Sequence, residues 1–127
     1  MSQASDESDI VVVTDKISPA VLRRLVDRFF GDMVKYVVDI EREIVAVGGG
    51  MHVDCEVVLL EHGGRQDDVW GANYFPGHGR DGCIEFVSLI NIRPALSNRG
   101  MLIEDPRIRE RVRAITFARI GEGEPLA

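Results

Sequence analysis

Cysteine, aromatic residues and positive charge are all scarce in this chain, and each shortage removes a class of function. The only cysteines, Cys55 and Cys83, have neither CxxC nor zinc-ligand spacing, so they read as buried free thiols in or beside strands, and no redox enzyme is expected. Aromatics make up 6% of the residues. Trp70 and Tyr74, on one face of their strand, read as core or interface residues rather than a base-stacking platform. Lys and Arg number 15 against 21 Asp and Glu, a formal net charge of -6. Indiscriminate binding to nucleic acid or to an anionic membrane needs cationic surface, so neither partner is expected. No apolar run approaches the roughly 20 residues that span a bilayer. The opening MSQASDESD has no basic region followed by an apolar stretch, which leaves a cytoplasmic address as the expectation. No serine or cysteine stands in a recognisable nucleophile motif, which counts against covalent catalysis.

What is present fits one domain. Residues 1–8 are polar and acidic and read as a disordered tail, residues 9–120 as a single α+β domain, and residues 121–127 as a frayed tail. Asp9 to Thr14 reads as a β-branched strand. Ser18-Pro19 opens a helix, with Val21, Leu22, Leu25, Val26, Phe29 and Phe30 at helical spacing and Gly31 as its stop. Met33 to Val47 reads as a hairpin turning at Glu41-Arg42-Glu43, with continuation of the first helix as the alternative. In the hairpin, Met33, Lys35, Val37 and Asp39 share one face, and Val34, Tyr36, Val38 and Ile40 the other.

Gly48-Gly49-Gly50 reads as a tight turn rather than a phosphate loop, since Lys and Ser or Thr are missing after it and no helix start is expected there. His52 to Leu60 reads as a central strand, His62 to Arg65 as a hairpin turn, Asp68 to Phe75 as a strand, and Gly77 to Gly82 as a mobile loop. Cys83 to Pro94 is expected to be the longest strand, and Asp105-Pro106 to cap a last helix reaching about Ile120. The expected fold is a twisted, mainly antiparallel sheet of about five to six strands, packed by an N-terminal and a C-terminal helix.

The polar residues worth weighing are Asp39, His52, Asp54, Glu56, Asn73, Asn91 and Arg93, from four expected strands, with Asn98 and Arg99 nearby. On a strand, His52, Asp54 and Glu56 would share a face that turns apolar at Val58 and Leu60, as if at the rim of a core. Three readings compete. In one, His52, Asp54 and Glu56 ligate a divalent metal, since imidazole and carboxylates suit Zn, Mn or non-haem Fe. In another, Arg93 and Arg99 hold a small anionic ligand that Asn73 and Asn91 orient, and His52 with a carboxylate moves a proton, as in a small hydrolase. In the third, Arg93 pairs with Asp54 or Glu56 and the network fixes strand register. The last helix carries Arg107, Arg109, Arg111 and Arg113, like charges at i,i+4 that read as a solvated face, with an acidic surface of a second subunit, rather than a nucleic-acid backbone, as the alternative. Ligand or partner binding in a homo-oligomer is the default function, and a hydrolase using His52, Asp54, Glu56 and Arg93 the alternative.

The blocks GDMVKYVVDIE, HVDCEVVLLEHGGRQDDVWGANYFP, SLINIRP and NRG with DPRIRERV resemble a family of small prokaryotic proteins of unknown function, over about residues 15 to 120. Relative to that family's pattern, Cys55 replaces a small residue, and Gly64 and Gly100 stand where serine is expected. The acidic first residues are extra. The resemblance implies membership of a group with no assigned activity.

Overall fold

The computed structural model describes residues 9–126; the tail expected over residues 1–8 lies outside them. The expected hairpin is there. β1 (Ile10–Val13), β2 (Val34–Asp39), β3 (Ile44–Gly48), β4 (Val69–Tyr74) and β5 (Ile84–Glu85) form one antiparallel sheet in the order β1-β3-β2-β4-β5. Around it lie α1 (Pro19–Phe29), α2 (His52–Glu61), the single turn α3 (Gly79–Gly82) and α4 (Pro106–Arg119). No helix among the described residues is long and apolar enough to cross a membrane.

The long helices begin where their caps say they should. Ser18 Oγ accepts from the Val21 N–H at 3.2 Å, Asp105 accepts from the Arg107 N–H at 2.8 Å, and a proline follows each as the first helical residue. Both pack on one face of the sheet, where Leu25, Val26, Val112 and Ile115 meet Val34, Tyr36, Val38, Val45, Val47, Trp70, Ala72 and Tyr74. Within this core the Thr116 hydroxyl donates to the Val112 carbonyl at 2.7 Å, so the Tyr36 hydroxyl must donate to Thr116, also at 2.7 Å. Burial pushes the Tyr36 phenol far up, which keeps that donor protonated.

The opposite face holds the main departure from expectation. His52 to Glu61 is helical, not a central strand. Its buried residues are His52, Cys55, Glu56 and Leu59, spaced i, i+3, i+4, i+7, and they cover Val37, Ala46 and Val69. Valine content and apparent alternation suggested a strand, but Val53 and Val57 are exposed on the helix's outer side. A helix start therefore does follow the glycine turn. Gly48, at φ 117, lies so close to β1 that a Cβ there would stand 2.1 Å from the Asp9 carbonyl oxygen.

The stretch expected to be the longest strand is mostly irregular. After the two residues of β5 it continues through an isolated bridge between Val87 and Leu102 and two short 3-10 turns, Leu89–Asn91 and Pro94–Leu96. Ser88 Oγ accepts the Ile90 N–H at 3.2 Å, which turns the chain out of the sheet. Nor do the described residues after Ile120 stand apart: the Gly123 carbonyl accepts from the Gly77 and Gly79 N–H groups at 3.0 Å, and the Gly123 N–H donates to Tyr74 Oη at 2.9 Å. That clasp also ties down the glycine-rich loop expected to be mobile. The α4 arginines find their acidic and carbonyl partners within the chain: Arg107 meets Asp105, Arg111 meets Glu43 and the Ile40 carbonyl, and Arg113 meets Glu110.

Candidate functional site

Because β5 is so short, the outer edge of β4 from Val69 to Ala72 has no backbone neighbour in the ladder, and side chains take its place. Asn91, fully buried, accepts from the Gly71 N–H at 2.9 Å and donates to the Gly71 carbonyl at 2.9 Å and to that of Met101 at 3.1 Å. One carboxamide thus supplies what a neighbouring strand residue would. Two residues further on, Arg93 donates to the Val69 carbonyl at 2.6 Å and to Glu56 at 3.0 Å, with its guanidinium 5.1 Å from the centre of the Trp70 ring. Asn98 secures the same segment through the carbonyls of Asn91, Gly100 and Leu102 and the N–H of Glu104.

Several sequence-derived candidates are thereby accounted for as parts of the fold. Asp39, fully buried, accepts from the backbone of Glu41 and Arg42 and from the Arg42 side chain, which holds the β2–β3 turn. Asp54 faces outward on α2, because a spacing of two residues is about 200° of helical rotation. His52 and Glu56 share the buried side of α2, but Glu56 is paired with Arg93. Among the described residues no three His, Cys, Asp or Glu side chains converge to hold a metal ion. Arg99 is exposed and lines neither cavity beside this segment.

His52 and Asn73 do come together. They line a cavity of about 300 Å³ between the start of α2, the sheet and residues 87–101, at the small end of the range for ligand sites. Its polar groups are Lys35, His52, Asn73 and Ser88, and its apolar wall is Met51, Val53, Val87, Leu89, Ile90 and Met101. The register places Lys35, Asn73 and Glu85 side by side on β2, β4 and β5. Lys35 also lies 5.3 Å from the centre of the Phe30 ring. Gly71 lets the floor come close: a Cβ there would stand 2.7 Å from Ser88 Cβ and 3.2 Å from His52 Cδ2. Lys35 and Ser88 were not among the sequence-derived candidates. The signal for Lys35 was its place opposite Asn73 on neighbouring strands, and for Ser88 there was none.

The hydrogen-bond inventory of this pocket is unequal. His52 Nε2 lies 2.8 Å from the Ala72 carbonyl oxygen, which only accepts, so the neutral ring carries its proton there and Nδ1 is bare. Asn73 is 6% exposed; its Nδ2 donates to Glu85 at 2.8 Å, which fixes the amide's orientation, and its Oδ1 has no hydrogen-bond partner among the described residues. Burial, the largest cause, pulls the His52 imidazole below its ordinary 6.5; Lys35 acts in the same sense, while the Ala72 carbonyl, Asn73 and Glu85 oppose it.

A pH dependence follows. As pH falls through 6.5 the unfolded chain protonates at His52 before the native chain does, so native stability drops there until the lower native pKa is passed. In urea titrations, the stability difference between the wild type and His52→Gln is therefore constant above that pH and shifts against the wild type below it. A difference independent of pH would refute the buried neutral imidazole.

Searches of curated proteins and of solved structures each returned no match. A family profile described as a protein of unknown function, DUF5674, matches residues 11–119, so it runs from the second residue of β1 to the end of α4 and includes the whole of the pocket. The family resemblance carried by the sequence blocks is thus confirmed, and the chain belongs to the DUF5674 family.

Proposed function

We propose that this chain is a binding domain for a small molecule, and that the cavity at His52 and Asn73 is its site. The observation that carries this is the unpaired Asn73 Oδ1. A buried acceptor without a donor costs roughly 1–3 kcal/mol, and a ligand that supplies the donor recovers it. Exposed apolar side chains at the mouth, Met51, Val53, Leu89 and Met101, give an apolar body something to cover. The hydrolase reading has less support. Asp54, Glu56 and Arg93 all lie outside this lining, which leaves His52 without the carboxylate and the arginine of that reading.

Saturation binding measured by calorimetry with three six-carbon probes, hexanoate, hexylamine and hexanol, tests the proposal. At least one is expected to bind with one-to-one stoichiometry, and Val53→Asn, which takes apolar surface from the exposed mouth without adding a charge, is expected to weaken it severalfold. No saturable binding by any probe, or binding indifferent to Val53→Asn, would overturn the reading.

A further inference from the structure

The pocket also carries information about what kind of head group it takes, an argument that rests on the binding reading above. Gly50, Met51, His52 and Val53, the approach to α2 and its first turn, line the cavity. The first N–H groups of a helix have no acceptor within it, and Met51 at the cap position supplies none from its side chain. The Asp54 N–H is taken by the Met51 carbonyl at 3.1 Å, so this end of the ten-residue helix offers the pocket the His52 and Val53 N–H groups and the positive end of its dipole. Among the described residues, Lys35 is the only cationic side chain in the lining, and no carboxylate is part of it.

A helix start alone would say little, but Asn73 adds an independent demand. Its unpaired oxygen is buried in the same pocket and asks for a donor, which a bare carboxylate or phosphate cannot provide. Donors for an anion and an acceptor for an N–H or O–H thus stand within one small cavity. The remaining wall is aliphatic and thioether.

We infer that the ligand is a small aliphatic acid bearing a hydrogen-bond donor on the carbon next to its carboxylate, a 2-hydroxy or 2-amino acid. The carboxylate lies against Lys35 and the start of α2, the hydroxyl or ammonium donates to Asn73 Oδ1, and the aliphatic chain lies on Met51, Val53, Leu89 and Met101. The two candidate donors differ in charge. An ammonium would also face Lys35, whereas a hydroxyl would not.

The test compares 2-hydroxyhexanoate, 2-aminohexanoate, hexanoate, hexylamine and hexanol by calorimetry on the wild type, Asn73→Leu and Lys35→Met, with circular dichroism to confirm that each variant is folded. The inference expects at least one 2-substituted acid to bind tenfold or more tighter than hexanoate, and expects Asn73→Leu to abolish that preference while leaving hexanoate binding in place. Lys35→Met is expected to weaken all the acids and spare hexanol. Should Asn73→Leu fail to fold, Asn73→Ala serves instead: it removes the acceptor without adding bulk or charge, and it should likewise abolish the preference for the 2-substituted acid over hexanoate. Hexanol or hexylamine binding as tightly as the acids, or a hydroxy-acid preference that survives Asn73→Leu, would overturn the head-group inference while leaving the pocket as a binding site. Binding by none of the five would overturn both.

Discussion

Replacing Arg93 with alanine is expected to destabilise the fold by about 3–5 kcal/mol, the range for stranding one member of a buried ion pair. The Glu56 and Arg93 side chains are 9% and 11% exposed, and the loss would leave the Glu56 carboxylate unpaired, the Val69 carbonyl without its donor and the Trp70 ring uncovered. Burial pulls the Arg93 guanidinium below its ordinary value while Glu56 pulls it back up, as expected of a desolvated cation beside its counter-charge. Arg93→Lys should restore only part of the loss, since an ammonium cannot span Glu56 and the Val69 carbonyl as the planar fork does. A double variant, Glu56→Leu with Arg93→Met, should recover most of it, because no charge is then left buried. Chemical denaturation of the wild type and these three variants measures this. A single-variant loss under 1 kcal/mol would show that the pair is solvated.

The second large effect is at Asn91. Asn91→Ala removes one acceptor and two donors at a fully buried position, leaving the Gly71 N–H and the carbonyls of Gly71 and Met101 without partners. At roughly 1–3 kcal/mol for each unsatisfied group, a loss of about 3 kcal/mol or more is expected. Asn91→Asp should do no better, because a carboxylate keeps the Gly71 N–H but faces two carbonyls. Since Asn91 stands in for a strand at the open edge of β4, the alanine variant should also show concentration-dependent association by light scattering. A stable variant that associates no more than the wild type would mean the edge is sealed by something else.

These two residues show how the sequence both revealed and concealed the fold. β1, the β2–β3 hairpin, β4, α1 and α4 were legible because period, caps and turn residues agreed on each. Residues 52–61 were not, because the amphipathic pattern is inverted: His52 and Glu56 are buried while Val53 and Val57 are exposed. Polar residues go inside there because the fold supplies partners, Ala72 for His52 and Arg93 for Glu56, from segments twenty or more residues away. The alternation from Cys83 to Pro94 is real in the sequence. It does not become a long strand because the Ser88 turn and the Asn91 carboxamide satisfy the local backbone another way.

The site was legible in part for the same reason. Asn73 and His52 stood out as polar residues in apolar runs, but placing both in one pocket needed the helical geometry of α2 and the register of β2 with β4. Arg93 and Asn91 stood out equally, and their side chains are spent on the sheet edge. Polarity within an apolar run marked the residues that matter here without separating those that hold the fold from those that face a ligand.

The most direct test of the account is the footprint of a bound acid on the backbone. With the nitrogen-15-labelled chain titrated with 2-hydroxyhexanoate, the amide signals of Gly50 to Val53, Asn73 and Ser88 to Ile90 are expected to shift together and saturably. Shifts centred instead on Glu56, Gln66, Asp67 and Arg93, which line the neighbouring cavity of about 360 Å³, would contradict the account and return the anion site to Arg93.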